Sequence, residues 1–192
     1  MADGDITRLI AAWRQGDKAA ENALFKALYA KLHGIALAFI RNELPGRSLG
    51  PTELIHEAYL RFHRSERLEI ADRSHFLKLA AKVMHQVLVD RARARRSEKR
   101  GGDLVRVEET EQLVRTDADA DEILSVDRAL GKLKLQSPRQ AQVVELRYFA
   151  GYSLEETALI LGVAERTVKR DWEVARTRLK IAIDGEAAAG QL

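Results

Sequence analysis

The amino-acid sequence predicts an all-α fold: two helical domains joined by a flexible acidic linker, the C-terminal one a helix-turn-helix. Three observations carry that expectation. Only three prolines interrupt a composition rich in helix-favouring Ala, Leu, Glu, Arg and Lys. Apolar residues recur at helical spacing in one segment after another. Charge is segregated: residues 91–100, RARARRSEKR, hold six bases and one acid, whereas residues 103–127 hold nine acids against Arg106 and Arg115, in a chain of net charge only +3. A length of 192 residues suffices for one or two domains with proper cores.

Taken in order, Ile6, Leu9, Ile10 and Trp13 lie on one face of a helix from Asp5 to Gln15, which Gly16-Asp17 ends. A second helix is expected from Lys18 to about Phe39, with Leu24, Leu28, Leu32, Ile35 and Phe39 as its buried stripe. Asn42 to Gly50, with Pro45, Gly46 and Gly50, reads as a loop. The third helix starts at Pro51 or Thr52, turning Leu54, Ala58 and Phe62 inward and His56, Glu57, Arg61 and Arg64 outward. Ser74 is the expected cap of a fourth helix, whose apolar stripe is Phe76, Leu79, Ala80, Val83, Val87 and Leu88. Its polar side carries Lys78, Lys82, His85 and Gln86. Past Asp90 the same helix continues into Arg91, Arg93, Arg95 and Arg96, changing from a core element into a cationic surface. Gly101-Gly102 closes the first domain, residues 1–100. Residues 101–120 are charged and poorly periodic, the pattern of a flexible linker.

Helix formation resumes near Asp121 with Ile123, Leu124, Ala129, Leu130 and Leu133, opening a domain at 121–185 that is followed by a tail at 186–192. Ser137 caps a helix with Pro138 at its first position, and Gln140 is placed to reach back to the cap nitrogen. Val143, Leu146 and Phe149 form its apolar face. Gly151 breaks the chain, Ser153 with Glu156 forms a second capping box, Leu154, Ala158 and Leu161 make a short face, and Gly162 ends it. The last helix begins near Glu165 and buries Val168, Trp172, Ala175, Leu179 and Ile183. Arg166, Lys169, Arg170, Glu173 and Thr177 project on its opposite side. A short helix, a glycine turn and a second helix with a cationic face make a helix-turn-helix. The physical logic is that a major groove admits one helix, phosphates attract Lys and Arg, and Arg near the helix start pairs with guanine edges. A plain helical hairpin with a solvated charged face needs neither the two capping boxes nor the tight turn.

Several classes of function are excluded. With no cysteine, thiol catalysis and cysteine zinc sites are absent, and the composition fits a reducing compartment. The first twenty residues lack an apolar run after a basic start, and nowhere do about eighteen apolar residues follow one another without a break, so the expected location is cytoplasmic, away from membranes. Glu57 and Asp90 with His56 or His63 lack a metal-ligand spacing, and no glycine loop cradles phosphate. An enzyme, a metal and a cofactor are therefore not expected.

Three segments in this order, PTELIHEAYLRF at 51–62, SHFLKLAAKVMHQVLVDRARARR at 74–96 and the stretch from Tyr152 to Leu179 containing GVAERTVKRDW, resemble the extracytoplasmic-function (ECF) sigma factors of bacterial RNA polymerase. The resemblance covers nearly the whole chain. It implies that the helix from Thr52 to Arg64 docks on the clamp of core RNA polymerase through Thr52, Glu53, His56, Glu57 and Arg61. It implies that the helix from Ser74 to Arg96 meets the minus-ten promoter region. There Lys82, Arg91, Arg93, Arg95 and Arg96 neutralise phosphates, and His85 and Gln86 offer hydrogen bonds to separated bases. The minus-thirty-five element falls to Arg166, Lys169 and Arg170, with Glu173 and Thr177 on the same face. Sigma factors catalyse nothing; they position polymerase and help open the duplex. An anti-sigma factor or a Ser/Thr kinase joins core polymerase and promoter DNA among the expected partners.

This chain departs from the family pattern at several positions. Gln86 stands where Asn is frequent, Phe76-Leu77 where a Trp is, Ala164 where a capping Ser is, and Trp172 where an aliphatic residue is. The family's acidic run before the clamp helix, Asp-Ala-Glu-Asp in type, is here Gly50-Pro51-Thr52-Glu53, two carboxylates short. Phosphorylation of Thr52 would restore negative charge at a helix N-terminus, where it is favourable; Thr52 can equally serve by satisfying first-turn amides. Two other readings stay open. One is a different helix-turn-helix transcriptional regulator, such as a response regulator, against which the helical periodicity of residues 1–100 speaks. The other is a sigma-like interaction protein that binds polymerase without directing transcription.

Overall fold

Helices α1 (Asp3–Arg14) and α2 (Lys18–Arg41) meet at a corner built by two residues. Gly16, at φ 91°, donates its amide to the Trp13 carbonyl at 2.8 Å. Asp17 then accepts the amides of Ala19 and Ala20 at 2.8 and 3.1 Å, capping α2. The protein's structure, a computed structural model, describes residues 3–41, 49–64, 70–101 and 111–189. Among them the chain is all-α, without a strand. After α2 come α3 (Pro51–Arg64), α4 (Arg73–Gly101), α5 (Glu111–Gln136), α6 (Pro138–Val144), a π-helical turn (Glu145–Phe149), α7 (Leu154–Leu161) and α8 (Glu165–Ala189). The loop expected at 42–50 lies outside the described residues, save Leu49 and Gly50.

The stripe of α2 is buried as the periodicity requires, whereas Leu9, Leu79, Leu161 and Leu179 of the other stripes are partly buried. Leu24, Leu28, Leu32, Ile35 and Phe39 of α2 are all closed to solvent, each aliphatic chain contributing about 1.5–3 kcal/mol of transfer free energy. By length and mean hydropathy α2 is also a helix that would suit a bilayer, but this stripe is spent on the core. Around it Trp13, Phe25, Phe62 and Phe76 form an aromatic cluster with ring centroids 5.4–6.3 Å apart, mostly edge to face.

The same core does not stop at the end of the N-terminal half. It takes in Leu130 and Leu133 of α5, Ala141 and Val144 of α6, Phe149 and Ala175. Phe39 stacks on Phe149 at 5.2 Å and 22°, joining the two halves ring to ring. A second cluster is formed by Val89 and Ala92 of α4 with Ala120 and Leu124 of α5, and a third by Val143, Ala158 and Val168. Helix α5 runs back along α4 in the opposite direction, so that Asp121 lies by Arg96 and Asp127 by His85.

Four local expectations need correction. The cap of α4 is Asp72, whose Oδ1 accepts the His75 amide at 2.8 Å and whose carbonyl accepts that of Phe76, not Ser74. Helix α5 starts at Glu111, ten residues before Asp121, so the second half of the expected 101–120 linker is helical; residues 102–110 lie outside the described residues. The physical reason is tertiary: Ala120 and Leu124 dock on Val89 and Ala92 of α4, apolar contact that the charged composition conceals. Ser137 is the N-cap of α6 but makes no side-chain cap bond, and Gln140 does not reach back to it. Both side-chain oxygens accept instead from Arg178 Nη1, at 2.7 and 3.1 Å, while the Ser137 amide bonds to the Leu133 carbonyl. Charge-assisted bonds to Arg are stronger than a neutral cap, which accounts for the choice. Finally, α8 continues through Ala189, into the stretch expected as a tail.

Candidate nucleic-acid interface

Helices α7 and α8 are set by their ends. Ser153 Oγ accepts the Glu156 amide at 3.1 Å while Glu156 Oε2 accepts the Ser153 amide at 2.8 Å, completing the capping box. Gly162 takes the left-handed conformation, φ 63°, and the chain re-enters a helix after Val163 and Ala164. Val168 is fully buried against Val143 and Ala158, which fixes the opposite side of α8 toward water. There Arg166, Lys169, Arg170, Glu173 and Thr177 are all exposed, and the three cations make no ion pair among the described residues. This is an open cationic ridge.

Asp171, which periodicity alone did not single out, and Trp172, which it did, hold the ridge in place. Asp171, 2 % exposed, receives Arg139 through Nε at 2.6 Å and Nη2 at 3.4 Å. It lies three residues after Val168, on the buried side of the wheel, and that position was the available signal: a carboxylate there needs a cationic partner. Trp172 carries a guanidinium on each flank, Arg147 at 5.2 Å and Arg176 at 5.9 Å from its centroid.

The candidate set on α4 is placed differently. Lys82 and Gln86 are exposed. His85, expected on the polar side, is a correction: its imidazole sits 6.1 Å from Phe39 and 4.9 Å from Phe149, with its side chain only 13 % exposed. The reason is that Phe39 of α2 and Phe149 of the π turn pack against it. Burial pushes the His85 imidazole below its ordinary pKa, while Asp127 at 4.0 Å and Glu145 pull the other way. Arg93 Nη2 pairs with Asp127 at 3.2 Å and Arg96 Nη1 with Asp121 at 3.9 Å, both carboxylates on α5. Arg95 is partly buried. Beside this face a cleft of about 270 Å³ is lined by His75, Lys78, Lys82, His85 and Lys134.

On α3 the candidates for polymerase contact lie together. Thr52, Glu53 and His56 are exposed and Glu57 and Arg61 half-buried. Thr52 Oγ1 is hydrogen-bonded to the Tyr29 hydroxyl at 3.3 Å. Arg91 of α4 lies between the two acids, 3.2 Å from Glu53 and 3.6 Å from Glu57, and Arg61 pairs with Asp90 at 2.8 Å. The two candidate sets of the N-terminal half therefore meet at Arg91, an adjacency that a one-dimensional reading of separate helices does not contain.

Comparison with known proteins follows the same lines. The family model described as ECF sigma factor matches residues 3–185. Two curated relatives from Mycobacterium tuberculosis, strains Erdman and H37Rv, are each named ECF RNA polymerase sigma factor SigM. Each is 27 % identical over 171 residues, covering 89 % of this chain and 81 % of the relative. No solved structure matches significantly.

Proposed function

This chain belongs to the ECF sigma factor family, and from that premise we propose how its residues divide the work. As a sigma factor it serves transcription initiation with core RNA polymerase and promoter DNA. Residues 121–185 read the minus-thirty-five element as a helix-turn-helix, with Arg166, Lys169 and Arg170 nearest the bases and phosphates and Glu173 and Thr177 beside them. The observation that carries this reading is the open ridge of α8: three exposed cations with no ion pair among the described residues. Residues 1–100 dock on polymerase through Thr52, Glu53, His56, Glu57 and Arg61 and present Lys82, His85, Gln86, Arg91, Arg93, Arg95 and Arg96 to the minus-ten region. The protein works in the cytoplasm by binding and positioning, without catalysis of its own.

Run-off transcription of genomic DNA by purified core enzyme with this protein tests the reading. Discrete new start sites are expected. Core polymerase that binds the protein yet starts nowhere new would instead favour the sigma-like interaction protein.

Thr52 is the regulatory position on the polymerase face. It is exposed, one residue inside α3, and beside Glu53. A phosphate there adds nearly two negative charges to a surface short of carboxylates, at a helix end that favours them. The partners that control this step are a Ser/Thr kinase at Thr52 or an anti-sigma factor covering the same surface. Transcription with Thr52→Ala, Thr52→Glu and the parent protein separates the roles: Glu should exceed Ala, and equal activity in all three would remove the switch.

A further inference from the structure

One wall of the cleft beside α4 is a single row of nitrogen-bearing side chains. His75, Lys78, Lys82 and His85 follow one another at steps of three, four and three residues, the spacing of one helix face. The facing wall comes from α5 and α6, which contribute Lys134 and Gln142. Between the walls lie Leu79, Ala81, Leu130, Ala141 and Phe149. All of these but the partly buried Leu79 are buried members of the core that runs through both halves, so the walls stand on a shared apolar floor.

The charges of this cleft do not balance. Glu145, the one carboxylate among the described lining residues, is held by Lys134 at 3.5 Å. Lys78, half-buried, and Lys82, exposed, make no ion pair among the described residues. They sit four residues apart on α4, where like charges repel. His75 Nδ1 accepts the Ala71 amide at 3.3 Å, which leaves Nε2 as a donor. The lining therefore converges donors and uncompensated positive charge over an apolar floor, around about 270 Å³.

Such donors match an anion with several oxygens, and a lysine ammonium is a point-charge partner for phosphate. A bare inorganic ion would leave oxygens facing the apolar floor without hydrogen bonds. The geometry points to a binding site for a small organic phosphate, its oxygens held by Lys78 and Lys82 from one wall and by Lys134 and Gln142 from the other, its carbon body on the floor. The volume falls just below the usual range of ligand pockets, about 300–1,000 Å³, which suits a compact molecule rather than a length of strand. This site does not rest on the division of labour proposed above. Lys82 and His85 are also minus-ten candidates, however, so a DNA phosphate is the other source of the same chemistry, and the test separates the two.

The isotopically labelled full chain, without polymerase, is titrated with phenyl phosphate, inorganic phosphate, benzyl alcohol and a thymidine tetranucleotide in turn, read by amide NMR shifts. Phenyl phosphate should saturate, moving residues 78–82 of α4 and 141–142 of α6 together, and should bind about tenfold more tightly than inorganic phosphate or benzyl alcohol. Lys78→Gln/Lys82→Gln should weaken it by about tenfold or more, and Lys134→Gln, on the facing wall, by about three- to tenfold. Lys18→Gln/Lys26→Gln, which removes the same charge as the first pair from exposed positions on α2, should stay within about twofold of the parent.

Four results would overturn the proposal. Phenyl phosphate may not be the tighter ligand: no saturation, or inorganic phosphate binding equally well, reduces the cleft to an adventitious ion site or to none. An equal loss in the α2 pair makes the effect one of net charge. An unaffected Lys134→Gln confines binding to the α4 row and removes the cleft. Tighter binding of the tetranucleotide at the same residues gives the phosphate to nucleic acid. Matching urea midpoints for parent and variants establish that a lost shift is lost binding, not lost fold.

Discussion

Two faces of this chain carry clusters of cations, and the fold treats them in opposite ways. On α8, Arg166, Lys169 and Arg170 stand in water with no ion pair among the described residues, supported from behind by Val168 and by the Arg139–Asp171 bridge. On α4, Arg91, Arg93 and Arg96 each hold a carboxylate, and His85 is packed against the Phe39 and Phe149 rings. The difference teaches that a basic stripe in a sequence reports capacity rather than availability. The first face stands open to solvent, whereas on the second these arginines already hold carboxylates and, of the remaining candidates, only Lys82 and Gln86 stand exposed.

The comparison can be broken most forcefully at the joint. Phe149→Ala removes the ring that touches both Phe39 and His85 and should cost about 3–5 kcal/mol of stability in urea unfolding. A loss below about 1 kcal/mol would mean that the halves are held together by something other than this stack. Next in size is the open face. Arg166→Ala or Arg170→Ala in holoenzyme should weaken use of the upstream promoter element by about 1–3 kcal/mol if either arginine pairs with a base. Stability should be nearly untouched, since neither residue has an ion-pair partner to lose among the described residues. Unchanged promoter preference in both would move them to phosphate contacts or to none.

The smallest effect is one of pH and belongs to the covered face. The folded pKa of His85 is lowered, so its contribution is fully present above its unfolded pKa and is lost as pH falls through the folded value. Asp127 and Glu145 oppose the shift and limit its size. Acidifying from neutral to about pH 5 should therefore destabilise the parent more than a His85→Leu variant, measured as the change in urea midpoint. Identical changes in the two proteins would mean that His85 is not closed in.

Much of this was legible in the residues themselves. The stripes of α2, α3 and α8 declared which sides are buried, and the Ser153–Glu156 box and Gly162 marked the α7–α8 turn to the residue. What stayed hidden were pairings across the chain. Ser137 and Gln140 look like a capping box until Arg178, forty-one residues after Ser137, takes both oxygens. His85 looks polar-facing until Phe149 arrives from the other half of the molecule. The stretch before Asp121 looks like linker because it is so charged, and the contact of Ala120 with Val89 and Ala92 cannot be read from it. Local propensity and period say what a segment can become, whereas a long-range partner decides which of its polar groups remain free.

The stacking of Phe39 on Phe149, with one core passing through both halves, also carries a calorimetric signature. The isolated chain should melt in a single endotherm whose calorimetric and van't Hoff enthalpies agree. At about 0.7 kcal/mol per residue, that one peak concentrates heat that two independently melting halves would divide between two. A pair of domains strung on a slack tether would give the second thermogram.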